Sequence, residues 1–290
     1  MAKPIRIAGL TRRAPIARAA SNVLRAVFLD LLEKVPEARG GGSKKGIHDL
    51  RVAVKRFREA FRLFRPVLRK KTFRKHRAWI EDLNDALGEV RDRDVALAQL
   101  RKLTAGLAEP PRSVADLPVR LESERLGAAG ALAAMLDRLQ LDGVAAQLAA
   151  RIESIEQEAA SGQPTHEFAR ARVRERLLDV RARWAAARQE ATPESLHHAR
   201  IGNKRLRYAI EPFSRMLGKE VRRLYRSASR FHDVLGDLHD ADSMAVMLET
   251  AMAGAPKAER RAWERLSVKV IRARRVALRK AFSLADKLEP

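Results

Sequence analysis

The chain lacks cysteine, which excludes disulfides, thiolate metal sites and cysteine nucleophiles. Aromatic residues make up only 5% of it, which disfavours single-stranded nucleic acid as a ligand, because bases stack on aromatic rings. No apolar run approaches the roughly 20 residues that span a bilayer, and the basic N-terminus lacks the apolar core of a secretory signal. These absences predict a cytoplasmic protein with no membrane span.

Acidic residues are also scarce relative to basic ones. The chain has 59 Lys plus Arg against 36 Asp plus Glu, a net charge of +23. Hydrophobic residues make up 46%, which is enough for a buried core in 290 residues. Because self-repulsion at this charge destabilises a compact state, we expect an acidic partner: nucleic acid, an anionic membrane or an inorganic polyanion.

The periodicity is helical throughout. Apolar residues recur at spacings of three and four, and no useful stretch alternates with period two, so we predict an all-α fold. Breaks are expected at Gly40–Gly42 and at the prolines Pro110, Pro111 and Pro118. The predicted helices span residues 13–35, 45–69, 71–105, 113–140, 143–160, 165–189, 193–217, 219–251 and 257–287.

One motif occurs in both halves of the chain. Residues 47–64 read IHDLRVAVKRFREAFRLF and residues 196–213 read LHHARIGNKRLRYAIEPF, at an offset of 149 (197 − 48). Five of the seven identical pairs carry basic residues, while apolar pairs such as Phe57/Leu206 and Phe61/Ile210 vary within their class, which a purely structural repeat does not require. The identical basic pairs are His48/His197, Arg51/Arg200, Lys55/Lys204, Arg56/Arg205 and Arg58/Arg207.

A second motif confirms the repeat in the sequence. Residues 83–94 read LNDALGEVRDRD and residues 231–242 read FHDVLGDLHDAD, at an offset of 148 (233 − 85). We therefore expect two four-helix bundles related by a pseudo-twofold axis around a basic groove or cavity. The predicted organisation is a basic tail at 1–15 and one domain at 16–287. Its repeats cover about 16–140 and 165–287, joined by a linker with a possible helix at 143–160.

The first motif predicts a helix with two faces. At about 100° per residue, Leu50, Val54 and Phe57 form an apolar stripe, while His48, Arg51, Lys55 and Arg58 lie on one flank. Arg56 and Arg205 lie on the opposite flank. A solvated basic face is the simpler interpretation, but it does not explain five identical basic positions in both copies. A row of cations one turn apart suits a ligand with repeating negative charge, and arginine matches phosphate with a bidentate fork.

These two motifs, HxxRxxxKRxR and LGxxRDxD, resemble the CHAD domain, the conserved histidine α-helical domain, from about residue 16 to 287. The resemblance implies inorganic polyphosphate as partner, no catalytic activity and a pair of pseudo-symmetric bundles. It implies that His48, Arg51, Lys55, Arg58, His197, Arg200, Lys204 and Arg207 line the site, and we add Arg56 and Arg205 to the predicted set. His239 stands where the first copy has Arg91, which departs from the pattern.

The acidic motif has two interpretations. Asp92, Asp94, Asp240 and Asp242 could hold a divalent metal, as in a phosphohydrolase. A catalytic metal site should keep its histidines, however, and His232 and His239 have no histidine counterparts. We favour a supporting role, in which these aspartates pair with arginines of the basic helix. Gly88 and Gly236 are expected to allow close helix approach, because glycine inside a helix otherwise costs about 1 kcal/mol.

We therefore predict a cytoplasmic polyphosphate-binding protein with no catalytic residues, no metal and no cofactor. Association with polyphosphate granules is a further expectation. Nucleic acid, a competing polyanion, is the alternative partner, and a metal-dependent polyphosphate phosphohydrolase is a weaker one. Neighbouring cations should lower the pKa of His48 and His197 in the free protein.

Overall fold

Helices form the fold in the computed structural model. It describes residues 5, 7–39, 43–68, 70–105, 107, 110, 112–141, 143–158 and 162–286, without the side chains of 70–76, 140–141 and 156–158. The α-helices are α1 (Ile16–Arg39), α2 (Lys44–Phe64), α3 (Lys70–Thr104), α4 (Arg112–Leu141), α5 (Val144–Glu158), α6 (Thr165–Glu190), α7 (Pro193–Ile210), α8 (Ser214–Leu217), α9 (Lys219–Ala253) and α10 (Arg260–Ala285). Across this part of the chain there is no strand, which confirms the all-α prediction.

The helix ends follow local chemistry. Ser43 caps α2 by accepting a hydrogen bond from the backbone N–H of Gly46 at 2.9 Å, and Thr192 does the same for Ser195 at 3.1 Å before α7. The helix predicted at 193–217 is interrupted by a 3-10 segment at Glu211–Phe213, because Pro212 lacks the N–H that an α-helix needs. Pro118, expected to break the chain, lies inside the first turns of α4. The predicted break at Gly40–Gly42 lies outside the described residues.

The described part of the predicted N-terminal tail is docked on the start of α6. Pro15 forms an isolated antiparallel bridge with Pro164. The backbone N–H of Thr165 donates to the carbonyl of Ala14 at 3.0 Å, and that of His166 donates to the carbonyl of Arg12 at 3.1 Å. Residues 1–4 and 6 lie outside the described part. This segment therefore belongs to the folded structure.

The chain divides into two compact units. Unit 1 comprises Met1–Arg91, Ala128–Leu178 and Arg205–Tyr225, and its core is centred on α1, which packs against α2 and α5. Phe57 and Phe64 of α2 are fully buried there, and the Phe64 ring stacks on Phe168 with centroids 5.8 Å apart. The apolar stripe predicted for the first motif is thus a core-facing stripe.

Unit 2 comprises Asp92–Gly127, Asp179–Lys204 and Arg226–Pro290. One buried cluster contains Leu117 and Leu121 of α4 together with Leu266 and Val270 of α10. These residues are related by the offset of 149 (266 − 117 and 270 − 121). A second contact joins Trp184 of α6 to Phe231 of α9, with ring centroids 5.0 Å apart.

Two kinds of ion pair recur at repeat-related positions. Within unit 2, Arg125 pairs with Asp94 at 2.7 Å and Arg274 pairs with Asp242 at 2.6 Å. Lys34 pairs with Asp30 at 2.9 Å in unit 1, and Arg183 pairs with Asp179 at 2.8 Å in unit 2. The corresponding residues of the two pairs of each kind are separated by 149 or 148 positions, the offsets of the two sequence motifs. Pseudo-symmetry between whole bundles and a shared basic groove remain predictions, as does the assignment of domains.

The glycines of the second motif do not permit close helix approach. No described atom lies within 4 Å of a Cβ built at Gly88 or Gly236, so that prediction is wrong. Close approach occurs instead at Gly202, where a Cβ would meet the Arg183 side chain at 2.8 Å. The sequence period shows which face a glycine occupies, but not whether another helix lies opposite.

Candidate polyanion-binding site

Helix α2 presents the first basic row within unit 1. Leu50, Val54 and Phe57 are fully buried, which fixes the rotation of the helix. On the adjacent flank, His48 is exposed, while Arg51, Lys55 and Arg58 are half-buried. Partial burial keeps the arginine stems packed while the flank remains open to a ligand. The row predicted from the sequence is therefore present as one face of one helix.

His48 lies in a cationic environment that extends beyond its own helix. Burial is the main cause that lowers its pKa, and the charge of Arg91 on α3 lowers it further. Lys55 acts in the same direction, and Asp49 opposes them. The predicted direction of the pKa change is confirmed, although partial desolvation is a larger cause than the neighbouring cations. Arg91 of α3 thus adds a cation beside the first basic row of α2.

Arg58 shows an unsatisfied polar group in this row. Burial lowers the pKa of its guanidinium, and neighbouring Arg62 adds to this effect. Its Nε is buried and has no hydrogen-bond partner in the described part of the chain. A buried N–H without a partner costs free energy that an anionic ligand can recover. Arg62, by contrast, pairs with Glu59 at 2.9 Å.

Arg56 occupies a different environment from the row. It is only 7% exposed and pairs with Glu211 at 2.9 Å, with Asp30 at 3.7 Å. Burial raises the pKa of Glu211 more than the charges of Arg56 and Arg207 lower it. Because its guanidinium is held inside unit 1 by carboxylates, we remove Arg56 from the predicted binding set.

The second row begins on α7 within unit 2. His197, Arg200 and Lys204 are all half-buried on one face. The ring of His197 lies beside that of His239 on α9, with centroids 5.3 Å apart. Burial lowers the pKa of His197 most, followed by the charges of His239 and Arg200. His239 therefore takes the place beside His197 that Arg91 takes beside His48.

The last residue of this row, Arg207, belongs to unit 1, as does Arg205 on the opposite flank of the helix. Arg205 and Arg207 are half-buried. The guanidinium carbon of Arg207 lies 5.9 Å from the ring centroids of both Tyr208 and Tyr225. Such contacts orient a guanidinium without neutralising it. Arg207 is thus held by aromatic rings.

Two aspartates of the acidic motif have partners that the sequence analysis missed. Asp94 and Asp242 pair with Arg125 on α4 and Arg274 on α10, so the predicted pairing with the basic helix is wrong for both. The signal was available, because Arg125 and Arg274 are identical at the offset of 149 (274 − 125). Asp92 is exposed and Asp240 is half-buried.

No group of three or more His, Asp or Glu residues that could hold a metal ion occurs among the described residues. The two rows present the cationic donors of histidine, arginine and lysine side chains.

The fold and the site together define an all-α protein with repeated His-Arg-Lys faces. The CHAD domain family model matches residues 22–249, so the chain belongs to the CHAD domain family.

The chain is also similar to solved structures. The crystal structure of the CHAD domain from the plant Ricinus communis matches with a TM-score of 0.74 and 21% identity, covering 99% of this chain and 96% of that one. PptA from Streptomyces chartreusis matches with a TM-score of 0.65 and 15% identity, covering 94% of this chain and 100% of that one. A search of curated proteins finds no match. At these identities the structural likeness shows the fold.

Proposed function

We propose that the protein binds inorganic polyphosphate through the two basic rows and does not alter it chemically. The observation that carries this proposal is the repeated environment of the two histidines. Each lies beside cations of its own helix and beside a basic residue of the second motif, Arg91 or His239. Concentrating cations in this way destabilises the free protein, and a polyanion offsets that cost.

The geometry favours a ligand with closely repeated charge. Positions 48, 51, 55 and 58 repeat at one-turn intervals of about 5.4 Å along α2, so successive side chains can contact successive phosphates. The unsatisfied Nε of Arg58 supplies a directed donor, and Lys55 supplies a compact charge. Inorganic polyphosphate is thin and flexible, and it can follow such a row.

The space beside Gly88 supports the same proposal. Gly88 lies one turn before Arg91 on α3, and it is buried although no described atom would contact a Cβ there. The absence of a side chain keeps the approach to Arg91 open. We infer that this glycine provides room for a ligand.

The test is a pair of matched double variants. Arg51→Ala with Arg200→Ala should weaken binding of long-chain polyphosphate by about 3–6 kcal/mol, if each arginine makes a charged contact of about 1.5–3 kcal/mol. Arg101→Ala with Arg170→Ala removes two exposed arginines outside the rows and serves as the control. Isothermal titration at fixed salt measures both affinities. Equal losses in the two variants would refute a specific site.

The same titration measures stoichiometry and salt dependence. The number of polyphosphate chains bound per protein measures how many chains the two rows take up, and affinity should fall steeply with salt because counterions are released. Duplex DNA, the alternative partner, is tested by competition. Displacement of polyphosphate by equal concentrations of DNA phosphate would favour the nucleic-acid function.

The absence of catalysis is also a proposal. Incubation with polyphosphate and magnesium should release no orthophosphate above the uncatalysed rate. Release that disappears in Asp92→Asn with Asp240→Asn would establish the phosphohydrolase instead. We further propose a cytoplasmic location with association with polyphosphate granules, which fluorescence microscopy of the tagged chain can test.

A further inference from the structure

The outer face of α10 carries a line of arginines that the basic rows do not use. At about 100° per residue, Arg261, Arg265, Arg272, Arg275 and Arg279 lie within about 80° of one another. We call these five residues the arginine crest; all are exposed. They cover about 27 Å of the helix at about 1.5 Å per residue. Trp263, Leu266 and Val270 on the opposite face are buried, so the crest points to solvent.

The crest is not part of the repeated pattern. At the offset of 149, the positions of Arg265, Arg272, Arg275 and Arg279 correspond to Asp116, Ser123, Leu126 and Gly130 of α4. Only Arg261 has a basic counterpart, Arg112. Helix α10 also lies beyond the residues matched by the family model, which end at 249. The duplication therefore does not account for the crest.

The crest has no acidic partner within the described part of the chain. The nearest acidic residue in its sequence, Glu264, is the only one in a helix that holds nine basic residues. Like charges three or four residues apart destabilise a helix. Five exposed arginines placed at these spacings therefore indicate an external anionic partner.

The shape of the crest favours a flat partner over a groove. The flanks of the crest carry three basic residues, Arg260, Lys269 and Lys280, against the five of the crest itself. The Nζ of Lys269 donates to the carbonyl of Leu103 at 3.0 Å, which holds this side chain against the protein. The charges lie along the outermost line of a helix that has no proline or glycine in its interior. A flat surface can contact that whole line at once.

Exposed aliphatic side chains lie among these arginines. Val268 is within the crest line and is 44% exposed, and Ile271 and Val276 beside it are 49% and 44% exposed. Phosphate polymers offer such groups little to contact, whereas the boundary between lipid headgroups and acyl chains accommodates them. No exposed aromatic residue is available on this face for base stacking.

We propose that the arginine crest docks the protein peripherally on a bilayer rich in anionic phospholipids. Guanidinium groups would contact lipid phosphates while Val268, Ile271 and Val276 enter the headgroup boundary. No helix in the described part of the chain is long and apolar enough to cross a membrane, so this contact would be a surface contact. The surface is separate from the basic rows, and the proposal does not depend on polyphosphate binding.

The test uses the full chain and flotation with lipid vesicles. Wild type should float with vesicles of phosphatidylcholine mixed with phosphatidylglycerol, and not with phosphatidylcholine alone. Arg265→Gln, Arg272→Gln and Arg279→Gln together should lower the partition coefficient on the order of a hundredfold, since each basic residue contributes a factor of roughly five near an anionic surface. The three Arg→Lys changes should retain most of the binding.

Two further variants separate this docking from general charge attraction. Arg222→Gln, Arg226→Gln and Arg230→Gln remove three exposed arginines of α9 and should leave flotation nearly unchanged. Ile271→Ser with Val276→Ser keeps the charge and should weaken flotation several-fold without changing binding to duplex DNA. The proposal is overturned if wild type does not float, if the α9 variant loses as much as the crest variant, or if the serine variant floats normally. Far-UV circular dichroism and thermal melting confirm that each variant is folded.

Discussion

The ion pair between Asp94 and Arg125 allows a sharp test of what the acidic motif does. Its side chains are 1% and 7% exposed and lie 2.7 Å apart. Replacing Asp94 by Ala removes the nearest carboxylate from a buried guanidinium and leaves Glu122, which lies 4.0 Å away and is 44% exposed. We therefore expect a cost of about 3 kcal/mol, at the lower end of the range for a broken buried pair. The repeat-related pair of Asp242 and Arg274 is 15% and 26% exposed. Because water can solvate Arg274, Asp242→Ala should cost only about 1–2 kcal/mol.

Urea unfolding followed by tryptophan fluorescence measures both values. Trp184 and Trp263 belong to unit 2, as both ion pairs do, whereas Trp79 belongs to unit 1. The measurement therefore uses a Trp79→Phe background, in which the emission reports on unit 2. With a slope of about 2–3 kcal/mol/M, Asp94→Ala should lower the midpoint by more than about 1 M. Asp94→Leu combined with Arg125→Met should regain most of the lost free energy, since an apolar pair of similar volume avoids desolvating two charges.

The same variants test binding separately from stability. If Asp94 only joins α3 to α4, the folded Asp94→Ala protein should bind polyphosphate within about twofold of wild type, a difference below about 0.5 kcal/mol. A loss of affinity larger than the loss of stability would restore the original hypothesis, in which the aspartate organises the basic helix. Equal losses in the free energy of unfolding for Asp94→Ala and Asp242→Ala would refute the inference that the more buried ion pair costs more to break.

Three further predictions concern histidines and glycines. The pKa values of His48 and His197 are lowered in the free protein, and a bound polyanion should raise them, so binding takes up protons. Polyphosphate affinity should therefore increase as pH falls through about 6.5. Titrations from about pH 5.5 to 8 should show this increase in wild type and a flat profile in the double His→Gln variant, and a pH-independent wild type would contradict the prediction. His239→Arg should raise affinity, because a permanently charged guanidinium that can contact phosphate replaces the imidazole; unchanged affinity in titrations at fixed pH would show that position 239 does not contact the ligand. Gly88→Ala should stabilise the protein by up to about 1 kcal/mol, because no neighbouring group obstructs the added methyl group. Gly202→Ala should destabilise it, because the methyl group would clash with the Arg183 side chain. Melting temperatures that change in the same direction in both variants would refute the packing argument.

Most of the helices could be predicted because their signals are local. Apolar spacing, the Ser43 cap and the Thr192-Pro193 start all act within one turn of the residues they affect. The rotation of α2 also followed from sequence, since the buried Phe57 and the half-buried Arg51 lie on different faces. Local rules therefore located the basic row before any packing was known.

The wrong predictions concern side chains whose partners lie far away in the sequence. Arg56 is adjacent to the row in sequence, but its partner Glu211 is 155 residues away (211 − 56), beyond any helical period. Asp94 likewise pairs with Arg125 on the next helix, and nothing in the local pattern distinguishes that arginine from those of α2. Whether another helix lies close to Gly88 likewise depends on the packing of the chain, which the local sequence does not specify.

The way the chain is divided between the units has a consequence for biosynthesis. Unit 1 is complete only when Arg205–Tyr225 has been made, and Leu117 and Leu121 of unit 2 wait for Leu266 and Val270 of α10. At about 5–20 residues per second, the 149 residues between Leu121 and Val270 (270 − 121) take roughly 7–30 s. During that time, newly made α3 and the start of α4 expose the apolar residues that later join α10. A ribosome-bound chain of this kind is expected to need chaperone protection, and neither half of the gene should yield a stable fragment alone.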